Sequence, residues 1–576
     1  MSENILLKNF LSIEDFFTLP GSVDELEKNI LQYQQENLTY NSDIFTGAGN
    51  DIIFGKSISS ADSSAISESI LDQTIVADSK TAADANALAL GLVNSGRIYT
   101  GKGNDIILGV ADASGSAIAD SQSVLTLEHV YCIDAQGNSV ATVNVLVDAV
   151  GISNSGQIST FTGDDVIVGL ANASALGQSK AKSQVELILS SDSTATANSE
   201  SIVIVETLAI GIDNTGKINT GEGRDLIIGL ANASAMSEAE AAALAFNTTI
   251  LTPGDDSQVI QEIGKAIATS TSSATAVSTT TTLGIVNSGH IYTDGGNDVI
   301  TGIAINQSSS KALTTSVAES VASGVAIATA DAESLAIAEG SAVGIINSGS
   351  INTGEGNDIV IGIAIDSTAA IAQADADALS FVQDSDAQTT TNTLADTSQA
   401  ITIGIDNTGG TILTGKGNDQ VIGIGEIGVL GGNFNTGKGE DHFLSYGSAI
   451  GVQDSEIRLG QDNDFFKAAI ANFESTTGGI SFDLDQSASI KDTQVFGDRG
   501  NDTFEIGGFQ GQVLIDGGQD FDSLRLWGNL EDYHFTGSSD HKTLTIEDAG
   551  SILTVQNIEA IYYGDSDQVY HISDFA

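Results

Sequence analysis

Residues 94–109 read NSGRIYTGKGNDIILG, and related copies of this stretch begin at Asn154, Asn214, Asn287, Asn347 and Asn407. A shorter form, NSDIFTGAGNDIIFG, begins at residue 41. Successive aligned aspartates are 54, 60, 60, 73, 60 and 61 residues apart (Asp51, Asp105, Asp165, Asp225, Asp298, Asp358 and Asp419). Self-similarity at such a period is typical of repeat architectures, in which each repeat stacks on its neighbours.

The intervals between the copies are rich in alanine, which favours helix by intrinsic propensity, but the order of their residues indicates strand. After each aspartate, small or apolar residues occupy every second position, as in Ile107, Gly109, Ala111, Ala113, Gly115, Ala117, Ala119 and Ser121. A period of two places them on one face of a strand, whereas a helix would scatter them around its axis. Each interval therefore predicts one long strand out and one back, with turns between them at 134–138, 252–255 and 384–386.

Two packings fit a period of about 60 residues. Each repeat is either three ordinary coils of ~20 residues or one flattened coil, whose two long legs stack on the next coil at ~4.8 Å. We favour the flattened coil, because only one turn motif and one far turn recur in each period. Facing layers of Gly, Ala and Ser would then bring the two legs closer than the ~10 Å of ordinary stacked sheets. The predicted fold class is all-β, a parallel β-solenoid of the β-helix or β-roll kind.

The chain divides into four predicted regions. Residues 1–40 form a short N-terminal helical cap, since Ser22 and Glu25 have capping-box spacing before an apolar helical face. Residues 41–425 form the long-period solenoid and residues 426–525 a shorter-period β-roll. Residues 526–576 form a C-terminal β cap.

The composition excludes several classes of protein. The 576 residues contain 20 Lys+Arg against 76 Asp+Glu, a net charge of −56, which repels nucleic acid and disfavours anionic membranes. One cysteine excludes an internal disulfide or a cysteine-based metal centre. No apolar run approaches the ~18 residues of a transmembrane segment. Only 17% of the residues are charged, so the chain can bury a core, and nearly all its charge has one sign.

The turn in each repeat has the chemistry of a calcium site. Residues 100–108, TGKGNDIIL, resemble the nonapeptide G-G-x-G-x-D-x-U-x of calcium-binding β-rolls. On this motif the chain resembles the secreted repeats-in-toxin (RTX), or haemolysin-type calcium-binding, proteins. Calcium prefers six to eight oxygen ligands from carboxylates and carbonyls, and glycines allow the backbone to turn its carbonyls inward. The alternative interpretation is a tight turn held by Asx bonding, with no metal.

The resemblance assigns candidate ligands residue by residue. Both inner glycines are kept at Gly47/Gly49, Gly101/Gly103, Gly221/Gly223, Gly354/Gly356 and Gly415/Gly417. Phe161 and Asp294 replace the first of these glycines in the Asp165 and Asp298 repeats. The family's repeats usually run in tandem, whereas these copies lie about 60 residues apart. Only the flattened coil would stack them so that adjacent turns share ions.

The C-terminal part has closer spacing. Further turns place Gly437, Gly439, Gly517, Gly518 and the aspartates Asp441, Asp464, Asp502 and Asp522 in the candidate metal sites. The last hundred residues resemble the closing domain of RTX proteins exported by type I secretion, and the ending ISDFA resembles their uncleaved export signals. The start shows no Sec-type signal peptide. The resemblance therefore implies an extracellular or cell-surface location.

Two further patterns concern stacking and partners. A ladder of asparagine amides along the coil axis is expected at Asn94, Asn154, Asn214, Asn287, Asn347 and Asn407. If small residues face inward, the alternate positions form an apolar strip on the outer face (Ile106, Leu108, Val110, Val166, Val168, Leu170, Leu226, Ile228, Leu230, Ile359, Ile361 and Ile363). Either another segment covers this apolar strip or it is a surface for self-association.

The functional prediction is a secreted calcium-binding solenoid with a structural or adhesive role at the cell surface or in the extracellular matrix. The expected partners are calcium ions, a second copy and a cell-surface glycan. The alternatives are a secreted RTX-type toxin or bacteriocin, a polysaccharide-modifying β-helix enzyme and an ice-binding protein. No catalytic constellation is found, because the six histidines have neither HExxH spacing nor a nucleophile-elbow partner.

Overall fold

The computed structural model describes residues 38–40, 43–72, 76–128, 133–189, 192–249, 264–381, 384–397, 401–474, 479–483, 488–528, 530–538 and 542–575. Residues 1–37 of the predicted N-terminal helical cap and the predicted turn at 252–255 lie outside these residues. The described residues are built almost entirely from strands.

Each repeat contains one outward strand and one return strand. The outward strands follow the aspartate turns and are Ile52–Asp72, Ile106–Glu128, Val166–Leu189, Leu226–Thr249, Val299–Val321 and Ile359–Phe381. The return strands are Val76–Asn94, Ile133–Asn154, Ser193–Asn214, Lys265–Asn287, Val325–Asn347 and the pair Asp384–Thr397 and Ile401–Asp406. Outward strands pair in parallel with outward strands and return strands with return strands. This pairing confirms a parallel β-solenoid with one flattened coil per repeat.

A short corner strand closes each coil between the asparagine and the glycine-rich turn. The corner strands are Ile44–Phe45, Arg97–Tyr99, Gln157–Ser159, Lys217–Asn219, His290–Tyr292, Ser350–Asn352 and Thr411–Leu413. They pair in register, so that Ile98 lies opposite Ile158 and Lys217 opposite His290. The corner strands therefore form a second, narrow sheet, which places all the glycine-rich turns in one column.

The interior of the flattened coil is filled by small side chains, as the alternation predicts. Ala111, Ala113 and Ala117 are buried, whereas the alternate residues of the same strand are half-buried or exposed. Serines reach across the coil to the backbone of the opposite leg: Ser139 Oγ donates to the carbonyl of Ser121 at 2.6 Å. Ser179 Oγ donates to the carbonyl of Ala141 at 2.8 Å. A side chain this short spans the gap only if the two sheets lie closer than the ~10 Å of ordinary stacked sheets.

Two of the predicted turns are wrong. Residues 134–138 belong to the return strand Ile133–Asn154 and pair with the start of Ser193–Asn214. Gly137 serves close packing there, because a Cβ on it would lie 2.8 Å from Ser183 Oγ. Residues 384–386 begin the strand Asp384–Thr397, which pairs with Val325–Asn347. Gly137 looked like part of a turn because small residues fill this interior for steric reasons, whereas Asp134 and Asp386 are exposed strand residues.

The solenoid narrows after the sixth long coil. Shorter strands continue the main sheet as Gln420–Leu430, His442–Gln453, Phe465–Glu474, Ala488–Lys491, Thr503–Ile506, Gly508–Gln510, Ser523–Leu526 and Ala560–Tyr563. The corner sheet continues as Asn433–Lys438, Glu456–Gln461, Gln494–Arg499, Gln512–Asp516 and Ser551–Gln556. Larger side chains, including Phe443, Phe466 and Phe504, now fill the interior. The column of turns thus passes without a break from the long to the short coils.

The ends of the solenoid carry the remaining elements. Leu38–Tyr40 pairs with Val76–Asn94, and Gly479–Asp483 is antiparallel to Phe465–Glu474. His534–Gly537 and Thr543–Asp548 add antiparallel strands to the corner sheet. Two 3-10 helices, Leu530–Asp532 and Ile572–Phe575, lie near the C-terminus. None of the described segments forms a helix with the length and apolar character of a membrane span.

The apolar strip lies on the outer face, as predicted. Its residues stack in register from coil to coil, with Ile106 opposite Val166 and Val166 opposite Leu226. Most of them are half-buried, and Ile361 is buried. Stacking on their own neighbours explains part of this burial.

Candidate metal centre

The glycine-rich turns share one backbone conformation. In the second coil Gly101 has φ 98° and Gly103 has φ 135°, both in the region that favours glycine. Their spacing also requires glycine, because a Cβ on Gly103 would lie 2.2 Å from the carbonyl oxygen of Gly49. Hydrogen bonds between coils hold the turns together: Gly103 N–H donates to the carbonyl of Thr162 at 2.9 Å. Successive turns therefore stack directly upon one another.

Phe161 and Asp294 show how the turn tolerates other residues. Phe161 has φ 71° and Asp294 has φ 60°, so both adopt the left-handed conformation of the glycines that they replace. This conformation costs a non-glycine residue roughly 1–2 kcal/mol, which the surrounding stack must offset. The turn path is thus kept in the Asp165 and Asp298 repeats despite the substitutions.

The predicted aspartates form one continuous column at the inner side of this corner. The Oδ1 atom of each aspartate accepts the backbone N–H of the aspartate one coil earlier. These bonds are 2.8–2.9 Å long and join Asp51, Asp105, Asp165, Asp225, Asp298, Asp358, Asp419, Asp441, Asp464, Asp502 and Asp522 in order. Strand spacing puts successive members ~4.8 Å apart. The structure therefore brings all eleven predicted aspartates together.

The second carboxylate oxygen has no protein partner along most of this aspartate column. Oδ2 is buried without a hydrogen bond in ten aspartates, Asp105, Asp165, Asp225, Asp298, Asp358, Asp419, Asp441, Asp464, Asp502 and Asp522. Asp51 at the start of the column differs, because its Oδ2 accepts the Thr46 hydroxyl at 2.6 Å. Burying an ionised oxygen without a partner is costly, so a proton or a cation must neutralise it.

Burial raises the pKa of these carboxyl groups. In Asp225 it raises the pKa to about 7, although the Thr220 hydroxyl and the Asp165 N–H oppose the shift, and the nearby carboxylates of Asp298 and Asp165 raise the pKa further. Burial is also the main cause of the raised pKa in the nine other members from Asp105 to Asp522. It raises the pKa to about 6 in Asp165 and Asp419, about 7 in Asp298, Asp441, Asp502 and Asp522, and about 8 in Asp464.

Backbone carbonyls supply further oxygen atoms at the corner. The carbonyl of the first glycine and that of the next residue accept hydrogen bonds from neighbouring coils, as between Gly354 and Lys416 N–H at 2.9 Å. Within the described chain the carbonyls of the second glycines accept none (Gly49, Gly103, Gly223, Gly356, Gly417 and Gly439). From Gly49 to Gly417, each of these oxygens lies close to the second glycine of the next turn. These carbonyls are therefore available to a cation between two turns.

The donor set fits calcium. The free carboxylate oxygens of two successive aspartates and the free carbonyls of two successive second glycines are hard oxygen ligands, and water would complete the shell. The column would hold cations between coils, so each aspartate would serve two neighbouring sites. No group of three or more His, Cys, Asp or Glu side chains gathers at one point among the residues that the structure describes. The candidate site therefore relies on paired carboxylates and carbonyls.

The aspartate column ends in a variant turn, which is followed by one further acidic residue. Gly518 occupies the first-glycine position of its turn, because a Cβ on it would lie 2.4 Å from the carbonyl oxygen of Asp498. Gly517 is one position earlier, where the long coils carry threonine, so it is not an inner glycine of the motif. Glu559, missed by the sequence reasoning, ends the aspartate column: its Oε2 accepts the Asp522 N–H at 2.8 Å.

A threonine column, also missed as a set, lines the same corner. Thr160, Thr293, Thr353 and Thr414 each donate to the carbonyl of the residue stacked below, at 2.9–3.1 Å. The signal for this column was the Thr that precedes the first glycine in nearly every copy of the motif. The hydroxyls of Thr100 and Thr220 have no backbone partner. Threonine hydroxyls also lower the pKa of the aspartate in their own turn, as Thr160 does for Asp165.

The predicted asparagine ladder is confirmed at the other end of the corner strands. The amide Nδ2 of each buried asparagine donates to Oδ1 of the next at 2.7 Å, from Asn94 through Asn154, Asn214, Asn287 and Asn347 to Asn407. Each Nδ2 also donates to a backbone carbonyl, as Asn154 does to Lys217 at 3.2 Å. Only Asn94 Oδ1, at the first end of the ladder, is buried without a partner among these amides, so this ladder is structural.

In comparisons with known proteins, the chain matches no family model and no curated protein.

Proposed function

We propose that this chain is a secreted calcium-binding β-solenoid with a structural or adhesive role at the cell surface or in the extracellular matrix. In this proposal it is similar to RTX proteins, and calcium binds between successive aspartate turns. Bound ions fold and stiffen the solenoid by neutralising the buried carboxylates.

One observation carries the calcium proposal: ten buried carboxylate oxygens without a hydrogen-bond partner lie in one column. A turn held only by Asx bonding needs one oxygen per aspartate, and Oδ1 already supplies it through the bond to the neighbouring N–H. The second oxygen, buried beside a like-charged neighbour, destabilises the metal-free fold at neutral pH. Calcium converts this cost into binding energy.

The proposed location follows from the affinity expected of such sites. Sites built from two carboxylates and several carbonyls suit millimolar calcium, the concentration outside cells. The resemblance of the C-terminal segment to type I export signals supports the same location. Export of a calcium-free, poorly folded chain followed by folding outside the cell agrees with the pKa values of the column.

The proposed structural or adhesive role draws on the outer faces. Besides the apolar strip, exposed apolar side chains are spread over both legs, including Ile66, Leu88, Ile118, Leu146 and Ile371. A rigid rod with such faces is suited to lateral contacts with other copies or with a surface layer. Sedimentation that showed only monomers at high protein concentration in millimolar calcium would exclude the self-association part.

The calcium proposal is tested by titrating the chain from chelator to millimolar calcium while recording circular dichroism and small-angle scattering. We expect β-structure to increase and the radius of gyration to fall, and magnesium at the same concentration to have much less effect, since it needs a smaller octahedral site. Unchanged spectra and dimensions would show that the turns bind no functional metal.

A further inference from the structure

A groove runs along the corner of the solenoid beside the turns, in the region where the long coils give way to the short ones. It encloses about 620 Å³, within the ~300–1,000 Å³ usual for binding sites. Its floor is backbone, formed by the first glycines of four successive turns, Gly354, Gly415, Gly437 and Gly460. The Asp498 turn also lines the groove, and strand spacing over these five turns makes the groove roughly 19 Å long.

The length of the groove is set by the residues at the first-glycine position. Above Gly354 this position holds Asp294, and below Gly460 it holds Asp498. Elsewhere in the long coils Phe161 interrupts the same column after two glycines, and Phe161 is 49% exposed. Four consecutive glycines therefore leave an open floor at this one stretch between Asp294 and Asp498.

One wall of the groove is cationic. The residues between the two glycines of each turn stack in the order Glu355, Lys416, Lys438, Gln461 and Arg499. Lys416 pairs with Glu355, whereas neither Lys438 nor Arg499 forms an ion pair with any residue that the structure describes. The acidic lining residue Asp498 is engaged by Arg458 at 3.5 Å. Two uncommitted cations thus face a groove in a chain that carries only 20 Lys+Arg.

The other wall is polar with one apolar member, Asn352, Leu413 and Asn435 from successive corner strands. Together with Gln461 it offers amide donors and acceptors suited to hydroxyl groups. The floor offers no free strand edge to a peptide, because its N–H groups already bond between coils: Lys438 N–H donates to the carbonyl of Gly415 at 2.9 Å. An extended peptide that added itself as a strand would find no edge to pair with.

We propose that this groove binds a linear polysaccharide carrying widely spaced carboxylates, that is, a uronate-containing glycan. The amides take hydroxyls, Leu413 contacts an apolar sugar face, and Lys438 and Arg499 each take a carboxylate. A densely charged polyanion is disfavoured by Glu355, Asp498 and the net charge of −56. Salt screens charges that are more than ~8–10 Å apart, so the close pairs between a carboxylate and Lys438 or Arg499 remain attractive. This site is separate from the aspartate column and goes beyond the calcium proposal.

The test uses isothermal titration calorimetry to measure how the full chain, in millimolar calcium, binds a hexasaccharide in which glucuronic acid alternates with a neutral sugar. The variant is Lys438→Gln with Arg499→Gln, and the matched control is Lys102→Gln, at the same turn position but outside the groove. We expect the double variant to raise the dissociation constant at least about tenfold, because two charge-assisted hydrogen bonds are lost. The control changes it less than about twofold.

Three results would overturn the proposal: equal affinity in the double variant, equal binding of a neutral 1,4-linked glucose hexamer, or binding of a glutamate hexapeptide in preference to the uronate. Both substitutions are on exposed side chains, and unchanged circular dichroism confirms that the variant folds. Calcium content is measured on the same samples. If the chain contains calcium but does not bind the glycan, only the glycan proposal is refuted. If the chain contains no calcium after exposure to millimolar calcium, the metal proposal is refuted.

Discussion

Replacing Asp225 with Asn tests whether the aspartate column binds metal or has only a structural role. The amide keeps Oδ1 as the acceptor for the Asp165 N–H, a bond of 2.9 Å, and removes the charge from the oxygen that has no partner. In chelator the variant should be more stable than the parent at pH 8. In calcium it should be less stable, because two neighbouring sites lose a carboxylate. The effect of the substitution on stability therefore changes sign when calcium is added.

The magnitude follows from the carboxyl group itself. Burial raises the pKa of Asp225 from 3.8 to about 7, and each unit corresponds to about 1.4 kcal/mol, so ionisation above pH 7 costs the metal-free fold about 4 kcal/mol at most. Relaxation and water entry reduce this ceiling. We expect Asp225→Asn to raise the free energy of unfolding by ~1–3 kcal/mol in chelator at pH 8.

The assay is urea unfolding followed by circular dichroism, with parallel samples in chelator and in millimolar calcium. Asp213→Asn is the matched control: burial also raises the pKa of Asp213, which lies outside the aspartate column. The control should be stabilised in chelator and keep the parent's calcium dependence. If Asp225→Asn shifts the midpoint equally in both buffers, the aspartate column binds no calcium and the reasoning fails.

Three further predictions concern the fold and its pH dependence. Asn214→Ala breaks two ladder bonds of 2.7 Å and should cost ~2–4 kcal/mol of unfolding free energy in urea titrations; a loss below ~1 kcal/mol would show that the ladder is dispensable. Gly115→Val should lower the free energy of unfolding by at least ~1–3 kcal/mol, because a Cβ at this position would lie 2.7 Å from Val147 Cγ2. The control Ser114→Val, on the outer face, should be near neutral. Equal effects of the two substitutions on thermal melting would contradict the close packing of the legs. In chelator, stability should fall as pH rises from 4 to 7. The raised aspartate pKa values mean that the folded chain binds more protons than the unfolded chain over this range. A melting temperature that rose with pH would refute the burial of the carboxylates.

Much of the fold follows from local patterns in the sequence. The two-residue alternation after Asp105 correctly predicted the inward face, with Ile107 and Ala111 buried, because strand geometry alone sorts the faces. The repeat of the aspartate turns correctly predicted one column, since a constant period returns the chain to the same corner. The choice of one flattened coil depended on counting turns, and the pairing of Ile106–Glu128 with Val166–Leu189 confirms it.

The errors have a common physical cause. Gly137 and its neighbours suggested a turn, but a glycine also serves where facing legs approach too closely for a Cβ. Glu559 follows no glycine motif, and its role appears only from the hydrogen bond to Asp522 N–H. Each of these depends on a neighbour in another coil, which a single sequence does not display.

The central claim is that calcium lies between successive turns along the aspartate column, and its most direct test is crystallographic. Crystals of the full chain grown in calcium and then exchanged into a lanthanide would be measured for anomalous scattering. The claim predicts a row of peaks about 4.8 Å apart, each between the carboxylates of two successive members such as Asp225 and Asp298. An ordered column without such peaks, or peaks confined to acidic groups on the outer faces, would contradict it.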